Sequence, residues 1–252
     1  MRFKFENDRR LALASRLLRR YAFVRYYGMT WGSLRFVQAQ KGGKPKLEGF
    51  EDCFDFNVSH QGDWVILVAT DQRGCQVGID AVCTDSMPSS MTATALVDTF
   101  APQLAPKELD MLRSHPHPIE AFYALWALKE SYVKALGIGL YMDLHNVCFR
   151  NKADKIELIT GQEKRGRTQD VEPWQFQLHW LDNRTMSAVC CSKKNKNNDN
   201  TQTTQLIGDS APTMPHPFVT VTFADLVATA AAAAAATTTT TTAAEAAALK
   251  SL

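Results

Sequence analysis

The chain has 252 residues, of which 45% are hydrophobic, enough for one substantial domain or two small domains that share an interface. The formal net charge is only +2, so the whole chain has no strong charge preference for nucleic acid or for a membrane surface. MRFKFENDRR lacks the apolar run of a secretory signal, and no later stretch is apolar enough to cross a bilayer. The six cysteines have neither C-x-x-C spacing nor the density of a secreted disulfide scaffold, so we expect reduced thiols in a cytosolic protein.

The first part of the chain indicates one helix followed by a small sheet. Asn7 and Asp8 can cap a helix, and the apolar residues that follow recur at helical spacing, which predicts an amphipathic helix over 8–26. Short β-branched and aromatic runs then alternate with the turn sequences GGKPK, QGD and DQRG. Strands are predicted at 34–40, 54–60, 64–70 and 76–82.

The middle of the chain indicates helices, and strands return after it. Helices are predicted at 108–114 and from Pro118 to about Leu136, where Gly137 and Gly139 end the second one. The strand-like runs HNVCFRN, DKIELIT, WQFQLHWL and MSAVCCS follow. The fold class predicted is therefore α+β, with an N-terminal half at 1–75 and a C-terminal half at 76–192.

From Lys193 the composition changes to polar and then to alanine- and threonine-rich sequence, without the apolar periodicity of a packed element. We expect residues 193–252 to form a disordered, low-complexity tail. PFVTVTFADL (217–226) is the exception, because its alternating apolar residues predict a strand that docks on the body of the protein.

Two short motifs are candidate ligand sites. In FDFNVSH the residues Asp55, Asn57 and Ser59 share one face of a strand that ends at a glycine turn, although an ordinary amphipathic strand is the more frequent explanation. In KGGKP the glycines allow close approach of a phosphate and the lysines supply positive charge. Most such turns are simple solvated hairpin connections.

The strongest constellation pairs VGID (77–80) with the helix segment WALKESYVK. Glu130 and Lys134 are four residues apart, so they lie on nearly the same helix face, and Asp80 ends a buried-looking strand. Two carboxylates together with substrate phosphates are a common set of Mg²⁺ ligands. Taken alone, Glu130 and Lys134 would more often be an exposed helical ion pair.

These motifs, GKP, FNVSHQGD, GID and FYALWALKESYVKALGIGL in this order, resemble the motif series of the Sfp-type phosphopantetheinyl transferases. The resemblance covers roughly residues 5–192 and is strongest to the animal-type members, the aminoadipate-semialdehyde dehydrogenase-phosphopantetheinyl transferases. It implies two similar subdomains related by a pseudo-two-fold axis, with the Mg²⁺ and coenzyme A site at their interface.

The resemblance also implies an activity, that of a holo-acyl-carrier-protein synthase. The phosphopantetheine arm of coenzyme A would move to a serine of an apo acyl or peptidyl carrier protein, and adenosine 3′,5′-bisphosphate would leave. The expected partners are the carrier domains of fatty acid synthase and of aminoadipate-semialdehyde enzymes, which implies roles in fatty acid and lysine biosynthesis. A cytosolic monomer without nucleic-acid or membrane partners is expected.

The residue roles follow from the same resemblance. Asp80 and Glu130 would hold Mg²⁺ on the diphosphate of coenzyme A, Lys134 would neutralise that diphosphate, and Glu130 would act as the general base. Val82 stands where bacterial relatives have an acidic residue, so Gln61 acting through a water would complete the metal ligands. The residues implied to bind coenzyme A are Lys41, Gly42, Gly43, Lys44, Asn57, Val58, Ser59, His60 and Lys134.

One departure from the family supports an alternative function. Family members carry a further basic segment before the first helix, so the N-terminal half is expected to be shortened. The alternative is a non-catalytic relative that binds coenzyme A or a carrier domain without transferring the arm. Nucleic-acid binding by the arginine-rich first helix is disfavoured, because aromatic interleaving and a known binding motif are missing from the sequence.

Overall fold

The computed structural model describes residues 5–38, 43–88, 90–139, 142–152, 155–160, 174–192 and 218–249. The helices in these ranges are α1 (Glu6–Tyr27), α2 (Ala93–Phe100), α3 (Pro106–Ser114), α4 (Pro118–Leu136) and α5 (Phe223–Leu249). The strands are β1 (Phe36–Val37), β2 (Lys46–Leu47), β3 (Asp55–Gln61), β4 (Trp64–Thr70), β5 (Val77–Cys83), β6 (Val147–Lys152), β7 (Lys155–Thr160), β8 (Trp174–Trp180) and β9 (Thr185–Ser192). The predicted α+β class is confirmed.

Contacts group the chain into two compact units, 1–36 together with 217–252, and 37–216. The division into halves at 1–75 and 76–192, and the pseudo-two-fold relation between them, stay predictions. Within the part of the chain that the structure describes, no helix has the length and apolar character needed to span a bilayer.

The smaller unit is built on α1. This helix ends at Gly28, whose left-handed conformation (φ 66°) lets its N–H bond to a carbonyl of the last turn. Its buried residues are Ala22 and Phe23, and α5 packs against it. The predicted helix at 8–26 is therefore confirmed, with two further residues at its start and one at its end.

The expected docking strand at 217–226 is wrong, since α5 begins at Phe223 and residue 217 lies outside the described residues. Thr222 Oγ1 accepts a hydrogen bond from the Asp225 N–H at 3.2 Å, and Asp225 Oδ2 accepts one from the Thr222 N–H at 2.9 Å. Such reciprocal bonds start a helix, and the alanine-rich sequence that follows has high helix propensity. In this helix Leu226 is buried and Phe223 is exposed.

The larger unit holds its core between α4 and a three-stranded antiparallel sheet in the order β5–β9–β8. Strands β3 and β4 form a separate antiparallel hairpin, and so do β6 and β7. Helix α4 packs across β5 and β9. This packing brings the C-terminal part of α4 beside the strand that carries the GID motif.

Strand β3 meets β5 through side chains. Asp55 Oδ2 accepts the Val77 N–H at 2.8 Å, and Asn57 Oδ1 accepts the Ile79 N–H at 3.0 Å. These polar side chains satisfy donors on the edge of β5 that does not pair with β9. The shared face predicted for Asp55, Asn57 and Ser59 is present, but it is buried against β5 and joins two sheets.

Gly78 allows the close approach of β5 to α4. A Cβ at this position would lie 2.0 Å from the Ser131 carbonyl oxygen and 2.6 Å from the Ala135 backbone nitrogen. Both atoms belong to the helix backbone, so they cannot move without displacing the helix. A side chain at residue 78 would therefore push α4 away from the strand that carries Asp80.

A buried ion pair fixes α4 on its other side. Lys129 Nζ lies 2.8 Å from Glu108 Oε2, and both side chains are almost fully inaccessible to solvent. The ammonium also donates to the carbonyls of Leu144 and Val147, while Glu108 Oε1 accepts the Phe149 N–H. These hydrogen bonds compensate the desolvation of the two charges and anchor α4 to α3 and β6.

Candidate active site

Three polar side chains from three elements converge beside the C-terminal half of α4. Lys134 Nζ lies 2.5 Å from Asp80 Oδ1 and donates to Ser59 Oγ at 2.9 Å. Ser59 Oγ in turn donates to Asp80 Oδ1 at 3.0 Å. The Asp80 side chain is 9% exposed and that of Lys134 29%, so the ion pair lies at the edge of the core with its lysine open to solvent.

Glu130 lies one turn before Lys134 on α4. Burial raises the pKa of its carboxyl group, and the negative charge of Asp80 raises it further, whereas Lys134 lowers it. Within the described ranges Glu130 has no ion-pair partner. Two carboxylates and a single lysine in one cavity wall form a site that favours the binding of an added cation.

A cavity of about 390 Å³ opens over this group. Its walls include all three residues predicted to bind the metal and part of those predicted to bind coenzyme A. They are Val58, Ser59, His60, Gln61, Asp80, Val82, Tyr123, Trp126, Glu130 and Lys134, together with Ala81, Cys83 and Ser86. The Gln61 amide nitrogen donates to Ser86 Oγ at 3.1 Å, which holds this side chain at the cavity wall.

A second cavity of about 710 Å³ shares Trp126, Glu130 and Lys134 with the first. The predicted coenzyme A residues Gly43, Lys44 and Asn57 line this cavity instead. Lys41 and Gly42 lie outside the described residues. The predicted residues are thus divided between two cavities that meet at Glu130 and Lys134.

Lys44 is engaged inside the protein. Its ammonium contacts the Asp55 carboxylate and donates to the carbonyls of Val77 at 2.7 Å and Ala135 at 3.3 Å. Burial lowers the pKa of Lys44, and the Asp55 charge partly opposes that shift. A lysine ammonium has three donors and all three are used here, which favours a structural role. Contact between Lys44 and a substrate phosphate stays a prediction.

Trp126 lies in both cavity walls and contacts other aromatic rings. Its ring is 4.9 Å from Phe100 at a steep angle and 6.0 Å from Phe122 in a stacked arrangement. These contacts show that Trp126 packs against the core of the larger unit. Tyr123 of the same helix also lines the smaller cavity and was not among the predicted site residues. The only sequence signal for it is an aromatic residue within FYALWALKE.

The donor set of the smaller cavity fits a hard divalent cation. Asp80 and Glu130 supply carboxylate oxygens and Gln61 an amide oxygen, whereas Val82 offers no oxygen from its side chain. Among the described residues there is no group of three or more His, Cys, Asp or Glu that could hold a metal. Mg²⁺ commonly takes one or two protein carboxylates and completes its shell with substrate phosphates and water, and Zn²⁺ requires more protein ligands.

The chain matches two protein families. Residues 1–72 match the family described as "4′-phosphopantetheinyl transferase, N-terminal", and residues 76–194 match the "4′-phosphopantetheinyl transferase superfamily". The two matches therefore meet just before β5, the strand that carries Asp80.

Similar proteins include two named L-aminoadipate-semialdehyde dehydrogenase-phosphopantetheinyl transferase. The one from Xenopus laevis is 33% identical over 238 residues, which cover 90% of this chain and 75% of that protein. The one from Homo sapiens is 30% identical over 240 residues, with the same coverage. Among solved structures, the holo-acyl-carrier-protein synthase of Neisseria meningitidis aligns with 47% of this chain and 98% of its own, at 20% identity and a TM-score of 0.39.

Proposed function

Because the chain belongs to the 4′-phosphopantetheinyl transferase superfamily, we propose that it transfers the phosphopantetheine arm of coenzyme A to a serine of an apo carrier protein. The convergence of Asp80, Glu130 and Lys134 on one cavity wall carries this proposal, because these groups match the needs of a diphosphate substrate. The enzyme is a transferase.

The charges of the site suit a diphosphate only when a cation is present, because two carboxylates alone would repel it. Asp80 and Glu130, with Gln61 through a water, would hold Mg²⁺. When bound, Mg²⁺ would neutralise phosphate charge and fix the diphosphate in place. Lys134, the partly exposed cation at the cavity wall, would bind a phosphate oxygen and stabilise charge on the departing bisphosphate.

The transfer forms one bond and breaks one. The carrier serine Oγ attacks the phosphorus that bears the pantetheine arm, and the bond from that phosphorus to the bridging oxygen breaks, releasing adenosine 3′,5′-bisphosphate. Glu130 would take the serine proton, and in the metal-free site burial and the Asp80 charge raise its pKa, which favours this role. Ser59 would hold the Asp80 carboxylate in position through its hydrogen bond.

The nucleotide part of coenzyme A would extend across both cavities, with contacts from the 41–44 segment and Asn57 in the larger one and from Val58 to His60 in the smaller one. Both cavities have volumes within the range of small-molecule sites. The carrier domains of aminoadipate-semialdehyde enzymes are proposed acceptors by analogy with the named relatives. The carrier domain of fatty acid synthase is proposed from the resemblance of the sequence motifs.

The direct test is mass spectrometry of apo carrier proteins incubated with the purified chain, Mg²⁺ and coenzyme A. We expect the mass of one phosphopantetheine group to be added to the carrier serine, and no addition when EDTA replaces Mg²⁺. A carrier whose serine is replaced by alanine is the control. If coenzyme A binds but every carrier keeps its mass, the non-catalytic function replaces the proposed one.

The pH dependence of transfer tests Glu130 as the base. The carboxylate is active when ionised, so kcat/KM should fall as the pH drops through the Glu130 pKa, which in the metal-free site lies above the usual glutamate value. Lys134 lowers that pKa, so Lys134→Met should move the acid limb of the profile to higher pH in addition to reducing the rate. Lys107→Met, at an exposed position of α3, should leave the limb where it is. An unmoved limb in Lys134→Met would argue against Glu130 as the titrating group.

A further inference from the structure

Two thiols lie in contact away from the proposed active site. The sulfur atoms of Cys75 and Cys191 are 2.8 Å apart, although the residues are 116 positions apart in sequence. Cys75 is buried two residues before β5, and Cys191 is the half-buried penultimate residue of β9, where it pairs with Val77. Neither thiol lines the two cavities of the proposed active site.

The backbone around the two thiols is held by several hydrogen bonds. The Gln76 N–H donates to Ser192 Oγ at 2.8 Å, and the Ser192 N–H donates to the Gln76 carbonyl at 2.9 Å. The Cys75 thiol donates to the Ser192 carbonyl at 2.8 Å. A disulfide bond is about 2.05 Å long, so bond formation needs an approach of the sulfurs by only about 0.8 Å.

We propose that Cys75 and Cys191 form a redox-active pair that closes to a disulfide when the protein meets a peroxide. The more exposed Cys191, as its thiolate, attacks one oxygen of hydrogen peroxide, and hydroxide leaves as Cys191 becomes a sulfenic acid. The Cys75 thiolate then attacks the Cys191 sulfur and a second hydroxide leaves. The two hydroxides take up the two thiol protons, so two thiols and one hydrogen peroxide give one disulfide and two waters.

The neighbouring Cys190, in the same strand, is expected not to react with peroxide. It points to the opposite face of β9, where its thiol donates to the Ser131 carbonyl at 3.2 Å. Burial raises the pKa of Cys190 to about 12, and the side chain is inaccessible to solvent. Cys190 is therefore a matched control, one residue from the reactive position.

The disulfide would fasten the start of β5 to the end of β9. Because the bridge closes a long loop, it restricts the unfolded chain strongly, and the bond adds to hydrogen bonds that already hold these strands. We expect the melting temperature to rise by roughly 5–15 °C on oxidation and to return after treatment with dithiothreitol.

The test treats the purified full chain with a small excess of hydrogen peroxide, blocks remaining thiols and maps peptides without reduction. The expected result is one peptide pair linked through Cys75 and Cys191, two hydrogens lighter than the reduced pair, together with the rise in melting temperature. Cys191→Ser should lose both effects and keep transfer activity in reducing buffer, and Cys190→Ser should keep both effects.

Cys75→Ala is a second variant that should lose the linked peptide. Alanine is used because residue 75 is buried, where serine would place a polar hydroxyl group. The proposal is overturned if the wild-type chain gives no peptide pair linked through Cys75 and Cys191. It is equally overturned if Cys191 proceeds to the sulfinic acid while Cys75 stays reduced, or if the Cys190→Ser variant loses the bridge.

Discussion

Glu130→Gln is expected to reduce transfer by roughly 10²–10⁴-fold and, in the metal-free protein, to raise the melting temperature at neutral pH. The loss of transfer follows because glutamine neither accepts the serine proton nor offers an ionised metal ligand. The gain in stability follows because burial and the Asp80 charge disfavour ionised Glu130 in the fold. Functional residues are commonly held at such a stability cost.

The sign of the stability effect depends on pH. Since the folded state raises the Glu130 pKa, its favourable contribution is complete below the unfolded-state pKa and is lost as the pH rises through the folded-state pKa. The advantage of Glu130→Gln should therefore appear at neutral pH and vanish when both states are protonated, below about pH 4. Thermal unfolding in EDTA across this range measures it.

Asp80→Asn is expected to change stability in the opposite direction from Glu130→Gln. It should also abolish transfer, but it should lower the melting temperature, because Lys134 and Ser59 lose their charged partner in a half-buried position. Glu120→Gln, at an exposed position in the first turn of α4, is the control and should retain transfer. Wild-type turnover in Glu130→Gln would show that Glu130 is not needed for transfer. A lower melting temperature of Glu130→Gln at neutral pH would contradict the expectation that ionised Glu130 destabilises the fold.

Gly78→Ala is expected to lower the free energy of unfolding by about 3 kcal/mol or more. The added methyl group would lie 2.0 Å from the Ser131 carbonyl oxygen, and relief requires α4 to move away from β5. Such a movement would also separate Asp80 from Lys134, so transfer should fall even in the fraction that remains folded. Urea unfolding and the transfer assay measure the two effects.

Gly32→Ala is the matched control for Gly78→Ala. Gly32 has no atom within 4 Å of an added Cβ and does not need a left-handed backbone, so alanine there should change stability by less than about 1 kcal/mol. If Gly78→Ala unfolds at the same urea concentration as the wild type, the packing of α4 on β5 is looser than the structure indicates.

Elements with local sequence signals were predicted correctly from the amino-acid sequence. The predicted helix from Pro118 to Leu136 is observed within these bounds, because proline begins it and the left-handed Gly137 ends it. Strands β3, β4 and β5 lie within one residue of their predicted positions, since turn sequences flank each run. The order of the motifs also indicated the family to which the chain belongs.

The burial of each strand or helix face, and the contacts between residues distant in sequence, depend on how the elements pack. Alternation in FDFNVSH groups Asp55 with Asn57, but periodicity does not reveal that β5 buries this face or that Lys44 pairs with Asp55. The apolar alternation in 217–226 predicted a strand, but the hydrogen bonds of a helix cap and the helix propensity of the following sequence favour α5. The contact of Cys75 with Cys191 has no sequence signal, because spacing along a chain fixes neighbours on one element, whereas contacts across elements depend on how all of them pack.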